Sequence, residues 1–287
     1  MSRPLLSIII PTHNRPDLLR RAVGSALAQT IEDLEVLVVD DASTQPIELP
    51  PDPRLKLIRL EKSRGGAGAR NVGTEAAQGR WITYLDDDDR LLPPMVETSL
   101  AALNKATLPA PVGVISGIEL VDPTDRVIRK LLPPPQRLQG AHFALEELEE
   151  GCSYNTKQTL VVEREVILQI GGWDETFRSR VHSELFLRLN PVCSILGLPV
   201  VSYQLSVHEG ARVSTNPELR QASFRQLLEK HHTLFEAHPK MFANFVYEHA
   251  YTSYKMGQMG AAFLNVCWAL RLHPSHTLSR FYHLFAN

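Results

Sequence analysis

The chain has few cysteines, and this narrows the classes of protein it can belong to. Among 287 residues there are only Cys152, Cys193 and Cys267, which are widely spaced and form no Cys-x-x-Cys pair. Small secreted domains and structural zinc sites depend on dense or closely paired cysteines. The sequence therefore argues against a disulfide framework or a zinc site, and it favours a reducing, cytoplasmic compartment.

An excess of one charge and long apolar runs are also missing. With 30 Lys and Arg against 32 Asp and Glu, the formal net charge is −2, so the composition offers no case for general nucleic-acid binding. We find no run of 18 uncharged apolar residues, and the apolar run near Met1 is too short for a signal peptide. The sequence predicts no membrane-spanning helix, while peripheral attachment at the inner face of a membrane stays open.

The first third of the chain contains short apolar runs that alternate with amphipathic segments. Strands are predicted at 6–10, 34–39, 55–60 and 81–85. Helices are predicted from Pro16, with apolar residues on one face, and over 64–77. Continuous apolar strands separated by helices predict an α/β fold with a mainly parallel sheet that is covered on both faces.

The rest of the chain divides into a mixed segment and a helical one. The mixed segment is predicted to contain, in order, a helix at 93–106, a strand at 112–121, a hairpin turn at 122–125, a strand at 126–132, a strand at 158–163, a helix at 164–170, a helix at 184–189 and a strand at 198–207. Helical spacing then dominates, at 217–237, 241–256 and 260–272. We therefore predict an α/β domain over 1–215 and an all-α C-terminal extension over 216–287.

Four consecutive aspartates, Asp86 to Asp89, directly follow the predicted strand 81–85. The predicted strand 34–39 likewise runs into Asp40 and Asp41. Because ligands of open parallel sheets bind at the carboxyl ends of the strands, we expect these carboxylates to share one crevice. Hard oxygen ligands suit Mg²⁺ or Mn²⁺. Alternation along an extended chain predicts Asp86 and Asp88 on one side and Asp87 on the other.

Five segments of the chain match a known family in residue type, order and spacing. They are Ser7–Arg15 (SIIIPTHNR), Val38–Ser43 (VVDDAS), Gly66–Asn71 (GAGARN), Tyr84–Asp89 (YLDDDD) and Gly171–Glu175 (GGWDE). Together they resemble the family 2 glycosyltransferases over roughly residues 5–215. The resemblance implies a GT-A fold, which is Rossmann-like, and a metal-dependent enzyme. It also implies inverting transfer of a sugar from a nucleotide sugar, with UDP as the expected nucleotide, to a hydroxyl acceptor.

The resemblance also implies roles for individual residues. The expected contacts to the nucleotide sugar are Pro11, Thr12, Asn14, Arg15, Asp40, Asp41, Arg70, Asn71, Asp86, Asp87, Trp173 and Asp174. The expected ligands of Mn²⁺ or Mg²⁺ are Asp88, Asp86 and His208. Structural alternatives stay open for several of them. Asn14 could cap a helix, Asp41 could serve as a turn or cap residue, and Arg70 could form a surface ion pair. Trp173 could belong to the core, His208 could have a loop role, and Asp89 could bind metal or cap the helix near Pro93.

The expected catalytic base departs from the family pattern. Where the family commonly has an acidic pair after its GGFDE segment, this chain has His182 at the usual aspartate position and Glu184 at the second acidic position. Either side chain could accept a proton from a sugar hydroxyl. A helix cap or a buried ion pair is the structural alternative for both. If neither is the base, the protein relies on another group, or it is a weakly active or non-catalytic nucleotide-sugar-binding protein.

Other functions and partners are left open by the sequence. A nucleotidyltransferase would need a glycine-rich loop after the first strand, and residues 12–15 contain no glycine. The resemblance implies bacterial glycan or envelope polysaccharide synthesis with a glycan or lipid-linked acceptor. The C-terminal helices could cover the sheet, form a homo-oligomer or dock on a membrane. The last option rests on apolar and basic residues, namely Trp268, Leu270, Arg271, Leu272, Arg280 and Phe281.

Overall fold

The computed structural model describes residues 3–207 and 216–285 of the chain. These residues form two compact units. The first consists of residues 3–142 and 148–207, and the second consists of residues 143–147 and 216–285. The short segment 143–147 therefore packs with the C-terminal helices, although it lies well inside the stretch that was predicted to be one α/β domain.

The first unit is built on a ten-stranded mixed sheet. Its strands are β1 (Leu6–Thr12), β2 (Leu34–Asp40), β3 (Leu55–Arg59), β4 (Trp81–Tyr84), β5 (Arg90–Leu91), β6 (Val112–Val121), β7 (Val127–Leu131), β8 (Gln136–Arg137), β9 (Val161–Glu163) and β10 (Ser194–Ser206). The spatial order is β3-β2-β1-β4-β9-β6-β10-β5, with β7 paired to β6 and β8 paired to β10. Strands β1 to β4 are parallel, and β9 runs antiparallel between β4 and β6.

Five helices accompany this sheet. They are α1 (Pro16–Leu27), α2 (Gly65–Ala76), α3 (Met95–Lys105), α4 (Arg164–Gln169) and α5 (Val181–Leu189), with one 3-10 turn at Lys157–Thr159. Helix α1 starts at a proline, whose fixed φ and missing N–H suit the first helical position. Its apolar side chains, among them Leu19 and Val23, are buried in the main core.

The register of the central strands brings the expected site residues to one edge of the sheet. All seven residues of β1 and all seven of β2 are buried. Thr12 at the end of β1 is in register with Asp40 at the end of β2. On the other side, Ile9 of β1 is in register with Tyr84 at the end of β4. The chain beyond β4 therefore emerges beside the end of β1, where the aspartates begin.

The second unit is helical, with α6 (Pro217–Lys230), α7 (His232–Glu236), α8 (Pro239–Lys255), α9 (Met259–Leu272) and α10 (Pro274–Phe285). The Asn216 side chain caps α6 by accepting a hydrogen bond of 3.0 Å from the N–H of Leu219. Phe224 is buried and stacks on the His249 ring with a centroid distance of 3.7 Å. Among the described residues, no helix is both long enough and apolar enough to cross a membrane.

The predicted α/β fold with C-terminal helices is confirmed, and the differences are local. The strand expected at 158–163 is a 3-10 turn followed by the three-residue β9. The helix expected at 217–237 is interrupted at His231, between α6 and α7. Helix α10, which was not predicted, starts at Pro274, as proline does at a first helical position. The two-residue strands β5 and β8 are too short to leave an alternating pattern.

Candidate active site

The four consecutive aspartates form a turn, and we call Asp86–Asp89 the acidic turn. The N–H of Asp89 donates to the carbonyl of Asp86 at 3.1 Å, so the segment is a turn and the expectation of an extended chain was wrong. Even so, carboxylate oxygens of Asp86, Asp88 and Asp89 all lie within 4.8 Å of one another. Three acidic side chains thus converge beside the end of β1.

Two guanidinium groups neutralise part of this acidic turn. Arg15 Nη1 lies 3.1 Å from Asp87 Oδ1 and 3.2 Å from Asp88 Oδ2. Arg70, which is 6% exposed, donates to Asp86 and lies over the Trp173 ring, 5.0 Å from its centroid. The alternative of a surface ion pair is therefore wrong for Arg70, because its pair with Asp86 is largely buried.

Burial and the remaining charge repulsion both affect the pKa values of the turn. Burial raises the pKa of Asp87, although Thr12, whose hydroxyl donates to it at 2.8 Å, and Arg15 oppose this shift. Burial, followed by the charges of Asp86 and Asp88, raises the pKa of Asp89 well above its usual range. A bound cation would relieve both effects. The donor set consists of carboxylate oxygens, which is the chemistry that Mg²⁺ and Mn²⁺ prefer, so these residues fit such an ion.

Asp89 is anchored to the end of β10. Tyr203 donates its hydroxyl to Asp89 Oδ2 at 2.9 Å, and the N–H of Ser206 donates to Asp89 Oδ1 at 2.9 Å. Helix α3 begins without a side-chain cap, so the capping alternative for Asp89 is wrong. The sequence does not predict that Tyr203 belongs to the site, because its pattern is that of any apolar residue in a strand. His208, an expected metal ligand, lies outside the described residues.

Asp40 and Asp41 follow one another at the end of β2 but have different surroundings. Asp40 is fully buried, accepts a 2.9 Å hydrogen bond from the N–H of Ser43, and lies 3.4 Å from Arg59 Nη1. Asp41 accepts at 2.7 Å from the N–H of Arg64 and at 2.8 Å from the N–H of Gly65, where α2 begins. The cap interpretation of Asp41 is therefore confirmed by the geometry, and its contact with a nucleotide stays a prediction.

Asn14 connects the loop after β1 to the loop after β2. Its backbone lies in the left-handed region, with φ 55°, and its N–H donates to Ser43 Oγ at 2.9 Å. Its side-chain oxygen accepts from the N–H of Thr44 at 2.8 Å. Helix α1 has no side-chain cap, so the alternative that Asn14 caps it is wrong, and the contact of Asn14 with a nucleotide stays a prediction. Pro11 is a buried residue of β1 itself. The two loops beside the acidic turn are thus held together.

Asn71 fixes the segment Gly171–Glu175, which we call the glycine–tryptophan loop. Its amide donates to the Trp173 carbonyl at 2.9 Å and accepts from the Trp173 N–H at 2.8 Å. Gly172 has φ 69°, and a Cβ there would lie 2.6 Å from Asn71 Oδ1, so only glycine fits. Asp174 stabilises the adjacent turn, accepting from the N–H of Thr176 at 2.9 Å. The expected contacts of Asn71 and Asp174 with a nucleotide sugar stay predictions.

Trp173 and His182 lie together where this loop meets α5. Trp173 is only 2% exposed and packs edge-on against Tyr84 and His182, with centroid distances of 4.9 Å and 5.0 Å. The core alternative therefore describes Trp173 in this structure. Burial, followed by the charge of Arg70, lowers the pKa of His182 to about 3. The imidazole is consequently neutral at physiological pH and is a weak base in these surroundings.

Glu184 forms the buried ion pair that was one of its alternatives. It is 1% exposed, and its two carboxylate oxygens accept from Arg188 Nε at 2.7 Å and Arg188 Nη2 at 2.6 Å. Arg188 also donates to the Ile170 carbonyl at 2.6 Å, just before the glycine–tryptophan loop. Acting as a base would require Glu184 to leave this pair, so its catalytic role stays a prediction that the geometry does not favour.

Lys157 is a residue near this region that the sequence analysis missed. It is buried in the 3-10 turn, where it donates to the Tyr154 carbonyl. Burial, followed by the charge of Arg180, lowers the pKa of Lys157 to about 7. Its charge in turn contributes to the lowered pKa of His182. No motif or spacing could have identified it, because it was assigned to the loop before an expected strand.

Comparisons with known proteins agree with this architecture. The profile described as "Glycosyl transferase family 2" matches residues 7–151. An uncharacterized glycosyltransferase, RP339 of Rickettsia prowazekii, is 32% identical over 227 residues, which is 76% of this chain and 68% of that protein. The succinoglycan biosynthesis protein ExoO of Rhizobium meliloti is 45% identical over 94 residues, which is 31% of this chain and only 27% of that protein.

The solved structures support the fold. S. aureus TarS 1-349 in complex with UDP-GlcNAc has a TM-score of 0.61 at 16% identity, covering 95% of this chain and 82% of that one. The same TarS segment in complex with UDP has a TM-score of 0.57 at 18% identity, covering 85% and 71%. Together with the sheet order and the profile match, these similarities confirm the expected GT-A type of α/β fold. The chain belongs to glycosyl transferase family 2.

Proposed function

We propose that this glycosyltransferase is metal-dependent and transfers a sugar from a UDP-sugar to a hydroxyl group of a glycan, with inversion at the anomeric carbon. The observation that carries the proposal is the convergence of acidic side chains at neighbouring strand ends. Oxygens of Asp86, Asp88 and Asp89 lie within 4.8 Å of one another, and the buried Asp40 ends the strand on the other side of β1.

Asp86 and Asp88 are the residues that would hold Mn²⁺ or Mg²⁺. When bound, such an ion supplies Lewis-acid stabilisation of the departing nucleoside diphosphate. Arg15 and Arg70 already contact these carboxylates. A divalent ion would compete for the same oxygens, and a displaced guanidinium beside the site could then bind a phosphate group. In this arrangement Asp40 accepts a hydrogen bond from the base, as the resemblance implies.

His182 is the group that we propose as the acceptor of the proton from the sugar hydroxyl. The His182 ring packs edge-on against Trp173, and the Arg70 guanidinium lies over the Trp173 ring. Trp173 and Arg70 therefore connect His182 to the acidic turn. The neutral imidazole has a free lone pair on one ring nitrogen and can take a proton. Its low pKa limits its strength as a base, which predicts modest turnover.

The proposed donor and acceptor are based on the names of similar proteins. TarS structures were determined with UDP and with UDP-GlcNAc, and ExoO is named for succinoglycan biosynthesis. These names support a UDP-sugar donor and an acceptor in bacterial polysaccharide assembly, either a glycan or a lipid-linked sugar.

A second candidate function is favoured by the surroundings of α5. His182 has a pKa of about 3, and Glu184 is held by Arg188, so neither expected base is well prepared for proton transfer. A protein that binds nucleotide sugars without transferring them would fit these two observations. The two candidates agree on the binding site and differ in turnover.

Release of nucleoside diphosphate from a panel of activated sugars, with Mn²⁺ or Mg²⁺, tests the proposal. We expect UDP release from a UDP-sugar that rises when an acceptor glycan is added. UDP binding without release across the panel would favour the second candidate, while no binding or release with uridine, guanosine or thymidine donors would contradict both.

A further inference from the structure

One face of α9 exposes apolar side chains to an unusual degree. Met259 is 60% exposed, Phe263 is 68% exposed and Leu264 is 69% exposed. Buried in α9 are Ala262 and Ala269, which are seven residues apart and lie on one side of the helix. Met259, Phe263 and Leu264 therefore point away from the helical core, whereas the two alanines point into it and Trp268 packs on Phe224 and Phe242. A packed helix normally shows the opposite distribution.

The exposed face continues along the helix and beyond it. Met259, Phe263, Cys267 and Leu270 recur at intervals of three or four residues, which places them on one stripe. Arg271 is the only charged residue of α9. In α10, Leu278 is 59% exposed. Cys267 and Leu270 are half-buried, and we call the exposed residues Met259, Phe263, Leu264 and Leu278 the apolar face, since exposed apolar surface of this kind marks an interaction site.

The stretch of chain that contains this face has basic residues and no acidic ones. Residues 249–287 contain no Asp or Glu, while they contain Lys255, Arg271, Arg280 and four histidines. Arg280 pairs with Glu248, which precedes this stretch, so Lys255 and Arg271 supply the positive charge that no acid of the stretch balances. An aromatic side chain accompanies the charge, since Tyr254 of α8 is 58% exposed. Such residues are enriched at the boundary between lipid and water.

We propose that the apolar face of α9 and α10 docks on an anionic phospholipid surface. Phe263 and Leu264 enter the boundary between headgroups and acyl chains, and Arg271 and Lys255 lie among the lipid phosphates. Burial of apolar area and attraction to anionic lipid together set the strength of such binding.

A second copy of the chain fits this face less well. In a symmetric dimer the same patch lies on both subunits, so each basic surface would face another basic surface. Without acidic residues in 249–287 there is no partner charge within this stretch to compensate. Anionic lipid supplies the opposite charge, and for this reason we favour it over self-association.

Co-sedimentation of the full chain with vesicles tests the docking surface. One set of vesicles contains phosphatidylcholine alone and the other also contains phosphatidylglycerol. We expect binding to the phosphatidylglycerol vesicles only, weakening as salt is added. A double variant, Phe263→Ser with Leu264→Ser, is expected to weaken binding at least about tenfold, and Arg271→Glu about fivefold or more. Both exposed sites should tolerate substitution, and circular dichroism checks the fold.

Ile128→Ser is the matched control, because Ile128 on β7 is also exposed, at 59%, but lies in the first unit. It should bind vesicles as the unaltered chain does. Equal binding to both vesicle types, no binding to either, or unchanged binding of the double variant would each overturn the proposal. A concentration-dependent dimer in light scattering that the double variant abolishes would also overturn it, in favour of a second copy.

Discussion

The acidic turn and the start of α5 lie in the same unit, yet they relate differently to the family pattern. In the acidic turn the residues expected from the motif converge, and Arg15 and Arg70 contact them. At α5 the two expected bases are constrained, since His182 is packed against Trp173 and Glu184 is paired with Arg188. The acidic turn thus has the geometry that the proposed binding site needs, whereas the proposed proton transfer depends on one weak base.

The largest expected effect is at the acidic turn. Asp88→Asn removes one charge from the cluster that we propose holds the metal, and it should lower kcat/KM about 1000-fold, in line with the loss of a major electrostatic contributor. Steady-state assays of UDP release measure this effect. Asp17→Asn, at a side chain that is 93% exposed, is the control and should be unchanged. Activity within about threefold of the unaltered protein would remove Asp88 from the site.

Stability should respond more than catalysis at Glu184. Glu184→Gln breaks a buried ion pair with Arg188, and we expect it to lower the free energy of unfolding by about 3 kcal/mol. Urea unfolding followed by circular dichroism measures the change. The folded variant should keep most of its specific activity. The reverse result, unchanged stability with kcat reduced about 100-fold, would identify Glu184 as the base and contradict our assignment.

His182 should matter for turnover and not for pH dependence near neutrality. His182→Ala is expected to lower kcat about 100-fold, the usual range for a general base. Because burial lowers the pKa of His182 to about 3, the ring is deprotonated throughout the range above that value, and kcat/KM should show no acidic limb at pH 6 to 7 from this group. His232→Ala, at an exposed side chain in α7, is the control.

A pH profile can also contradict the assignment of His182 as the base. An acidic limb near pH 6.5 that disappears in His182→Ala would show that the imidazole titrates normally. His182→Asp restores the residue type that the family commonly has at this position. Faster turnover in that variant would show that the base at residue 182, and not the acidic turn, limits the rate.

The smallest expected effect concerns competition between arginine and metal. Arg15 contacts Asp87 and Asp88, and its side chain is 31% exposed. Arg15→Gln should therefore tighten Mn²⁺ binding in the absence of nucleotide by about fivefold, the scale of a partly exposed ion pair. Electron paramagnetic resonance of free Mn²⁺ measures it. Arg20→Gln, on the exposed side of α1, should bind Mn²⁺ unchanged. Weaker binding by Arg15→Gln would contradict the competition.

Local patterns were enough to predict the strands and helices that position the site. The apolar runs of β1, β2 and β4 and the proline that starts α1 are signals carried by neighbouring residues, so their positions followed from the sequence. The pairing of Glu184 with Arg188 was also accessible, because residues four apart on a helix are neighbours. The buried ion pair was accordingly one of the alternatives that the sequence left open for Glu184.

Long-range contacts account for most of what was missed. Asn71 contacts Trp173, and Tyr203 contacts Asp89, at separations of 102 and 114 residues along the chain. No local pattern encodes such partners. The acidic turn was wrongly treated as extended, because four consecutive aspartates do not by themselves distinguish a strand from a turn. Lys157 was missed for a related reason, since its burial depends on the elements that surround it.

Titration calorimetry of UDP, with and without Mn²⁺, on the unaltered protein and on Asp88→Asn tests the central proposal most directly. If the acidic turn binds a divalent ion together with the nucleotide, Mn²⁺ should tighten UDP binding at least about tenfold, and Asp88→Asn should abolish that gain. UDP affinity that is the same with and without Mn²⁺ in the unaltered protein would contradict it.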